Sequence, residues 1–388
     1  MTTTEPWRIG ILFSQSGTTA LIEQTQLNAV LIAIDEINAA GGVRGQPIEP
    51  VVYDPQSSPE RYAACAERLL SEDGVRIIVG GYMSSTRKAV LPVVERRNGL
   101  LAYPAMYEGF EFSRNVIYAG ATPNQHSVPL ARYLIANYGK RFYLVGTRYV
   151  FPVEANRVMT TLVTEHQGQV VSERYVSFED GRRVFDDIVR DIRSKAPDVI
   201  FATVVGENAN CLYRAYRDAG LDPARMPIAS LTTTETEIAE MGADMVSGHI
   251  TAATYFQSLP GEANRTFVAR YRSRFGAAAT TNALCEAAYF QTRLIADGLQ
   301  EAGSTDPDVL LPALAGRGIG APQGLVRMDP DNHHCYLWPR IGRALPSGQF
   351  EVLVEPARPV KPDPYMVDHS LDDWGNDVGQ SHLAGALP

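Results

Sequence analysis

The sequence predicts an α/β fold divided between two lobes, on three observations. From residue 8 onward, short apolar runs alternate with longer segments of helical period, the pattern of βαβ units around a parallel sheet. The chain has 388 residues, more than one hydrophobic core comfortably supports. After residue 255 the pattern turns helical, and after residue 324 it returns to strands. No low-complexity linker separates the halves, so the chain is expected to cross between lobes more than once and to leave a hinged cleft.

The elements follow in order. Residues 8–13 read as a buried strand; Leu27, Val30, Leu31, Ile34 and Ile37 then recur at helical spacing, and Gly41-Gly42 supply the stop that a helix C-terminus favours. Residues 48–53 resume the sheet, followed by a helix over 60–70, a strand at 76–79, a helix from Ser84 and a strand at 100–103. A second series repeats the architecture without repeating the sequence. It has helices over 127–138, 153–166, 184–194 and 208–219, and strands at 141–146, 170–176, 199–203, 227–230 and 249–254. Turn-rich strands close it at 324–329, 336–343 and 349–354, and residues 356–388, rich in Pro, Asp, His and Gly, show no core-forming period.

Composition narrows the function classes. With 45% apolar and 20% charged residues the chain is an ordinary globular one. Its 35 basic and 44 acidic residues sum to −9, and basic residues cluster no further than pairs such as Arg87-Lys88, so direct nucleic-acid binding is not expected. Cys65, Cys211, Cys285 and Cys335 lie far apart and read as buried thiols. No apolar run approaches the roughly 18 residues of a membrane span. The N-terminal residues lack a basic region followed by an apolar stretch, so a cytoplasmic protein is expected.

Ligands of open α/β sheets sit just beyond the carboxyl ends of strands. The residues there are Tyr82, Met83, Ser84, Ser85 and Thr86 after 76–79, then Pro104, Ala105, Met106 and Tyr107 after 100–103. Further along come Thr147, Arg148, Tyr149 and Phe151, then Val204-Val205-Gly206, then Leu231-Thr232-Thr233-Thr234. This aromatic and hydroxylic set suits a small neutral ligand: rings exclude water while hydroxyl and amide groups donate and accept. Arg148, Glu207 and Glu235 would favour a zwitterionic amino acid if they faced the cleft. A Ser-Ser-Thr run at a helix start is also an ordinary cap, and tyrosines after strands are commonly core edges. The convergence on five strand ends carries the functional reading. No nucleophile elbow or phosphate-cradling glycine motif is present, so neither a hydrolase nor a nucleotide cofactor is expected. His333-His334-Cys335 lacks a second ligand pair at metal spacing.

Several segments resemble the amide-sensing negative regulators of bacterial aliphatic amidase operons. They are Gly81-Tyr82-Met83-Ser84-Ser85-Thr86 and its continuation to residue 96, Tyr103-Pro104 with Tyr107-Glu108-Gly109-Phe110-Glu111, Thr122-Pro123-Asn124-Gln125 and Thr203-Val204-Val205-Gly206. Phe151, residues 140–146 and Tyr255-Phe256-Gln257-Ser258 are similar to the urea-binding receptors of ABC transporters in the same superfamily. The resemblance implies the type I periplasmic-binding-protein fold, with two Rossmann-like lobes joined by three crossovers and closing on a ligand. The expected N-terminal lobe is 7–121 with 252–327, the C-terminal lobe 122–251 with 328–355, and 356–388 an extended tail. Tyr82, Ser84, Tyr103, Tyr149, Val205 and Thr232 would line an amide pocket, flanked by Met83 and Ser85. Ala105, Met106 and Phe151 stand where the regulators carry Thr, Pro and Tyr, which reshapes the cavity. Arg148 replaces an acidic residue.

The implied function is a cytoplasmic, non-enzymatic sensor of a short aliphatic amide or urea-like molecule. Without cofactor or metal, it would control an RNA-binding antitermination protein and so amidase expression, and a homo-oligomer is compatible with that role. The alternative is the solute-binding receptor of an ABC importer for urea, short-chain amides or branched amino acids.

Overall fold

The computed structural model describes residues 5–367. The described residues form two compact units, one of residues up to 121 with 260–337 (unit 1) and one of 122–259 with those from 338 on (unit 2). The first pass through unit 1 contains β1 (Trp7–Leu12), α1 (Ala20–Ala39), β2 (Ile48–Tyr53), α2 (Pro59–Ser71), β3 (Ile77–Gly80), α3 (Ser84–Arg97), β4 (Leu100–Tyr103) and β5 (Val116–Tyr118). Unit 2 follows with α4 (Pro123–Asn137), β6 (Arg141–Thr147), α5 (Val150–Glu165), β7 (Gln169–Val176), α6 (Arg182–Lys195) and β8 (Val199–Thr203). It continues through α7 (Glu207–Asp218), β9 (Ile228–Ser230), α8 (Glu235–Met241), α9 (Ala243–Val246) and β10 (Ile250–Ala253). Unit 1 resumes with α10 (Glu262–Phe275), α11 (Ala283–Ala302), α12 (Pro307–Leu314), β11 (Gly318–Ala321), β12 (Gly324–Met328) and β13 (Cys335–Tyr336); β14 (Arg340–Ala344) and β15 (Phe350–Val354) complete unit 2.

The central sheet of unit 1 is parallel throughout, in the order β2-β1-β3-β4-β5. Its strands read as unbroken apolar runs because helices cover both faces, so every residue of β3 and β4 is buried. On one face Ile9, Ile11 and Val79 meet Leu27, Val30 and Ile34 of α1 and Phe290 and Leu294 of α11. On the other, Leu12, Ile78 and Leu101 meet Tyr62 and Leu69 of α2 and Val90 and Val94 of α3. The sheet of unit 2 runs β15-β14-β10-β9-β8-β6-β7, parallel except at β14 and β15. In each sheet the strand order reverses once among the parallel strands, between β1 and β3 and between β6 and β8.

The architecture is the two-lobe α/β type that the alternation predicts, with differences in detail. β5, α8, α9 and β11 escape a periodicity argument because each has between three and seven residues. The strand expected at 336–343 is two strands in different units, with Pro339 between them. The later crossings fall at 259/260 and 337/338, where 251/252 and 327/328 were expected. β10 stays in unit 2 because it pairs with both β9 and β14, and Phe256 packs on Phe350 at 4.7 Å. β13 stays in unit 1 because it pairs with β12 and buries Cys335 and Leu337 in the core. Of the expected tail, residues 368–388 lie outside the described residues. Among the described residues no helix is long and apolar enough to cross a membrane.

Candidate functional site

In unit 1 the residues beyond β3 and β4 surround a buried ion cluster that sequence reasoning missed. Arg87, one turn into α3 and 1% exposed, donates through Nη2 to Glu108 (2.8 Å) and through Nε to Glu111 (2.8 Å). Its guanidinium lies between the rings of Tyr103 and Tyr107, 4.9 and 4.6 Å from their centroids. Burial opposes its charge, but Glu108, Tyr103 and Glu111 together hold the guanidinium well above its ordinary pKa. Burial would raise the Glu111 carboxyl; the Arg87 charge and hydrogen bonds from Arg87 and Lys88 outweigh it and hold the group at about 2. The signal in the sequence is an Arg-Lys pair and two glutamates three residues apart, separated by a whole strand.

The expected ligand residues of unit 1 are tied to this cluster. Ser84 is buried, its hydroxyl donates to Glu108 Oε2, and its Oγ accepts from Arg87 Nη1 at 3.1 Å. Tyr103 donates its phenol proton to the Tyr82 carbonyl at 2.5 Å. Tyr82 is half-buried on the α2/α3 side of the sheet, in the same core as Tyr103 and Ala105. Met106 packs instead against the α1/α11 core, so Ala105 and Met106 point to opposite faces. Gly120 lets this loop close: a Cβ there would lie 1.9 Å from the Ala105 carbonyl oxygen. Met83 is buried and Ser85 half-buried at the start of α3.

Beyond β1, a second buried carboxylate missed by sequence reasoning shapes the loop. Glu23 accepts from the Ser14 N–H at 2.6 Å and from the hydroxyls of Thr19 and Tyr62, and burial raises its pKa despite these bonds. The His333-His334-Cys335 run is structural. His334 stacks on Tyr118 (4.3 Å between centroids), its Nδ1 faces the Asn332 carbonyl at 2.6 Å and its Nε2 meets the Tyr107 hydroxyl at 2.6 Å. A carbonyl can only accept, so Nδ1 carries the proton and Nε2 accepts from Tyr107. Burial lowers the imidazole pKa to about 4.

In unit 2, Tyr149 and Phe151 open α5 directly after β6, with ring centroids 6.5 Å apart. Phe178, past the end of β7, packs on Tyr149 at 5.6 Å, and His126 meets Phe151 edge-on at 6.5 Å. The Val205 N–H donates to Thr147 Oγ1 (3.1 Å), and the Thr232 hydroxyl donates to the Val204 carbonyl (3.0 Å). The three charges that would have favoured a zwitterion are placed otherwise. Arg148 is exposed, 5.6 Å over the Tyr175 ring; Glu207 is exposed at the start of α7; and Glu235 is buried, its carboxyl pushed up to about 8 by burial.

Capping divides the helices by position. α1, α3, α5 and α7 follow the four strands that flank the two reversal points, and each begins at a residue whose side chain caps nothing: Thr19, Met83, Tyr149 and Gly206. Three helices that follow other strands are closed: Ser58 accepts from Arg61 N at α2, Gln125 reaches back to the Thr122 N–H at α4, and Thr234 caps α8. α10, after β10, starts uncapped at Gly261, which is exposed. α6 starts uncapped at Gly181, which is exposed to water. Backbone N–H groups are therefore left over at the reversal points, where open α/β sheets take ligands. The hydroxyls of Ser84, Tyr103 and Thr232 have given their protons to protein acceptors. Each unit thus offers donors from helix starts at its reversal point.

A family model described as a periplasmic binding protein domain matches residues 7–371. The chain belongs to this family. Its fold is that of type I periplasmic binding proteins: a solute-binding protein of an ABC transporter from Rhodopseudomonas palustris, solved with 3,4-dihydroxybenzoic acid, superposes with a TM-score of 0.82 at 20% identity, over 92% of this chain and 98% of that one. A Leu/Ile/Val-binding protein homolog of Brucella abortus is 25% identical over 336 residues, 84% of each chain. A limonene hydroxylase of Geobacillus stearothermophilus is 29% identical over 132 residues, 34% of this chain, which spans only 24% of that protein. As a member of this family, the protein is a ligand-binding protein for a small molecule.

Proposed function

We propose that the protein is the solute-binding subunit of an ABC importer. Its solute carries a carbonyl or carboxylate oxygen beside an N–H or O–H donor on a small apolar body. The observation that carries this is that in each unit the two helices at the sheet's reversal point, α1 and α3 in one and α5 and α7 in the other, start without a side-chain cap, so that their N–H groups fit an oxygen acceptor. Tyr149, Phe151 and Phe178 supply apolar walls. The relatives that align over most of both chains support an importer receptor over the amide-sensing regulator. An importer receptor works outside the cytoplasmic membrane, against the cytoplasmic expectation, and fractionation of cells expressing the whole gene checks this placement.

Isothermal titration with L-leucine, L-isoleucine, L-valine, propionamide, urea and benzoate is expected to show saturable binding of at least one compound. Binding of none of them overturns the proposal. A bound solute at 100 times its Kd should stabilise the fold by about 2.7 kcal/mol, seen as a raised melting temperature. Val150→Pro removes one uncapped N–H at the first position of α5, where proline fits the helix. Tyr82→Ala removes an aromatic wall in unit 1. Each is expected to weaken binding about tenfold, roughly 1.4 kcal/mol, with the melting temperature of the unliganded protein changed little for Val150→Pro. Unchanged affinity in both variants would show that the solute binds elsewhere.

A further inference from the structure

The far end of α1 borders a cavity that the proposed solute site does not use. α1 starts beyond β1, at the reversal point of the unit 1 sheet, and its 20 residues end at Ala39. At 1.5 Å per residue the two ends of the helix lie roughly 30 Å apart. Around the second end, α1, α10 and α11 enclose a cavity of about 680 Å³, within the roughly 300–1,000 Å³ of small-molecule sites. Ile37, Val43 and Ala296 form its apolar part, and five charged side chains line the rest.

Three of these charges are spent within the protein. Glu36 pairs with Arg270 through Oε1 and accepts from the Tyr289 hydroxyl through Oε2 at 2.6 Å, and Asp35 pairs with Arg274. The two left over, Arg293 and Asp297, share α11. Arg293 donates through Nη1 to the Tyr289 hydroxyl at 3.1 Å and lies 5.4 Å from the centroid of that ring, with no carboxylate partner among the described residues. A phenol takes one guanidinium donor and neutralises nothing, so the charge and the other N–H groups stay open. Asp297 has neither a hydrogen bond nor an ion pair among the described residues. Residues four apart on a helix are neighbours, yet Arg293 leans back one turn to Tyr289, as long helical side chains do, and leaves Asp297 alone.

We propose that this cavity is a second small-molecule site, for the zwitterion of an α-amino acid with a small apolar side chain. Its carboxylate takes the open donors of Arg293, its ammonium donates to Asp297, and its side chain covers Ile37, Val43 and Ala296. A lone carboxylate meets Asp297 as a like charge, and a lone amine meets Arg293 as one. The proposal does not depend on the importer reading, since the cavity lies at the opposite end of α1 from the reversal point.

Equilibrium dialysis of the whole protein against L-valine tests it, with Arg293→Gln, Asp297→Asn and the double variant. Neither side chain bonds to another element, so these variants should melt as the wild type does. At saturation the wild type should hold one more equivalent of L-valine than the double variant. Each single variant should bind that equivalent about tenfold more weakly, the loss of one charge-assisted hydrogen bond. Isobutylamine, which lacks the carboxylate, and isovalerate, which lacks the ammonium, should each occupy the site about tenfold more weakly than L-valine. Val150→Pro, in unit 2, should leave the equivalent in place.

Equal amounts of L-valine held by the wild type and the double variant would overturn the proposal while the importer reading stands, as would isobutylamine or isovalerate binding there as tightly as L-valine. Binding of L-valine that the double variant abolishes, and that Val150→Pro and Tyr82→Ala both leave unchanged, would uphold this site and count against the solute site at the reversal points.

Discussion

Arg87→Met is expected to destabilise the protein by about 3–5 kcal/mol, the usual loss when one partner of a buried ion pair is removed and the other charge stays buried. Here two carboxylates stay behind, Glu108 with its side chain 3% exposed and Glu111 at 10%. Methionine fills the space between the Tyr103 and Tyr107 rings, so the loss reports charge more than cavity. The pH dependence separates the two. In the wild type Glu111 is held at about 2, below the ordinary 4.5, so its contribution is present above pH 4.5 and is lost as pH falls through 2. Without Arg87, burial is left as the dominant influence and raises the carboxyl pKa, so protonation relieves the strain as pH falls from 7 toward 5. Urea midpoints for wild type and variant should therefore lie closer at pH 5 than at pH 7. Adding Glu108→Gln and Glu111→Gln to Arg87→Met should recover part of the stability at pH 7. A variant as stable as the wild type at pH 7 would mean that the cluster contributes nothing.

This cluster also marks the limit of what the residues alone disclose. The strands are apolar runs, so their ends can be located: Tyr103 ends β4, and Tyr82, Tyr149 and Thr232 follow β3, β6 and β9. What those side chains do with their protons is set by partners far along the chain. Ser84 meets Glu108, 24 residues on, and Thr232 meets the Val204 carbonyl, 28 residues back. No local pattern encodes such pairs, and a charged Arg-Lys dipeptide ordinarily reads as a solvated helix face. Phe178 gives no signal in the sequence because the loop after β7 surrounds it with exposed and half-buried polar residues. The crossings at 259/260 and 337/338 were likewise set by strand pairing, which sequence periodicity does not contain. The uncapped helix starts are legible only in part: Met83 and Gly206 have no side-chain oxygen to cap with, whereas Thr19 is a good cap by type but sits at φ −107°, ψ 5°, away from the extended backbone of a capping residue.

Glu235→Gln is expected to remove a fall in stability between pH 4.5 and 8. Glu235 opens α8 at 1% exposure, and burial raises its carboxyl to about 8 although the Gln257 N–H donates to it at 2.7 Å. Between its ordinary value of 4.5 and about 8 the unfolded chain has released this proton while the folded chain keeps it. The unfolded state then binds fewer protons, so stability falls with rising pH by about 1.4 kcal/mol per unit for this group and levels off above 8. Glutamine keeps an acceptor for Gln257 and titrates nowhere. The stability difference between variant and wild type should therefore grow by about 1 kcal/mol per unit across pH 5.5, 6.5 and 7.5, whereas a constant difference would show that Glu235 is ionised throughout. His249 acts from the other side: burial lowers it to about 3, so the stability it contributes above its ordinary 6.5 is lost as pH falls, and it is common to both proteins. The consequence for binding follows from the same proton. A protonated Glu235 adds no negative charge of its own at the start of α8, and propionamide affinity should change little from pH 6 to 7. Above pH 8 the buried charge has formed at the start of α8, and affinity should be lower than at pH 6 in the wild type but not in Glu235→Gln, while the stability difference between the two stays constant.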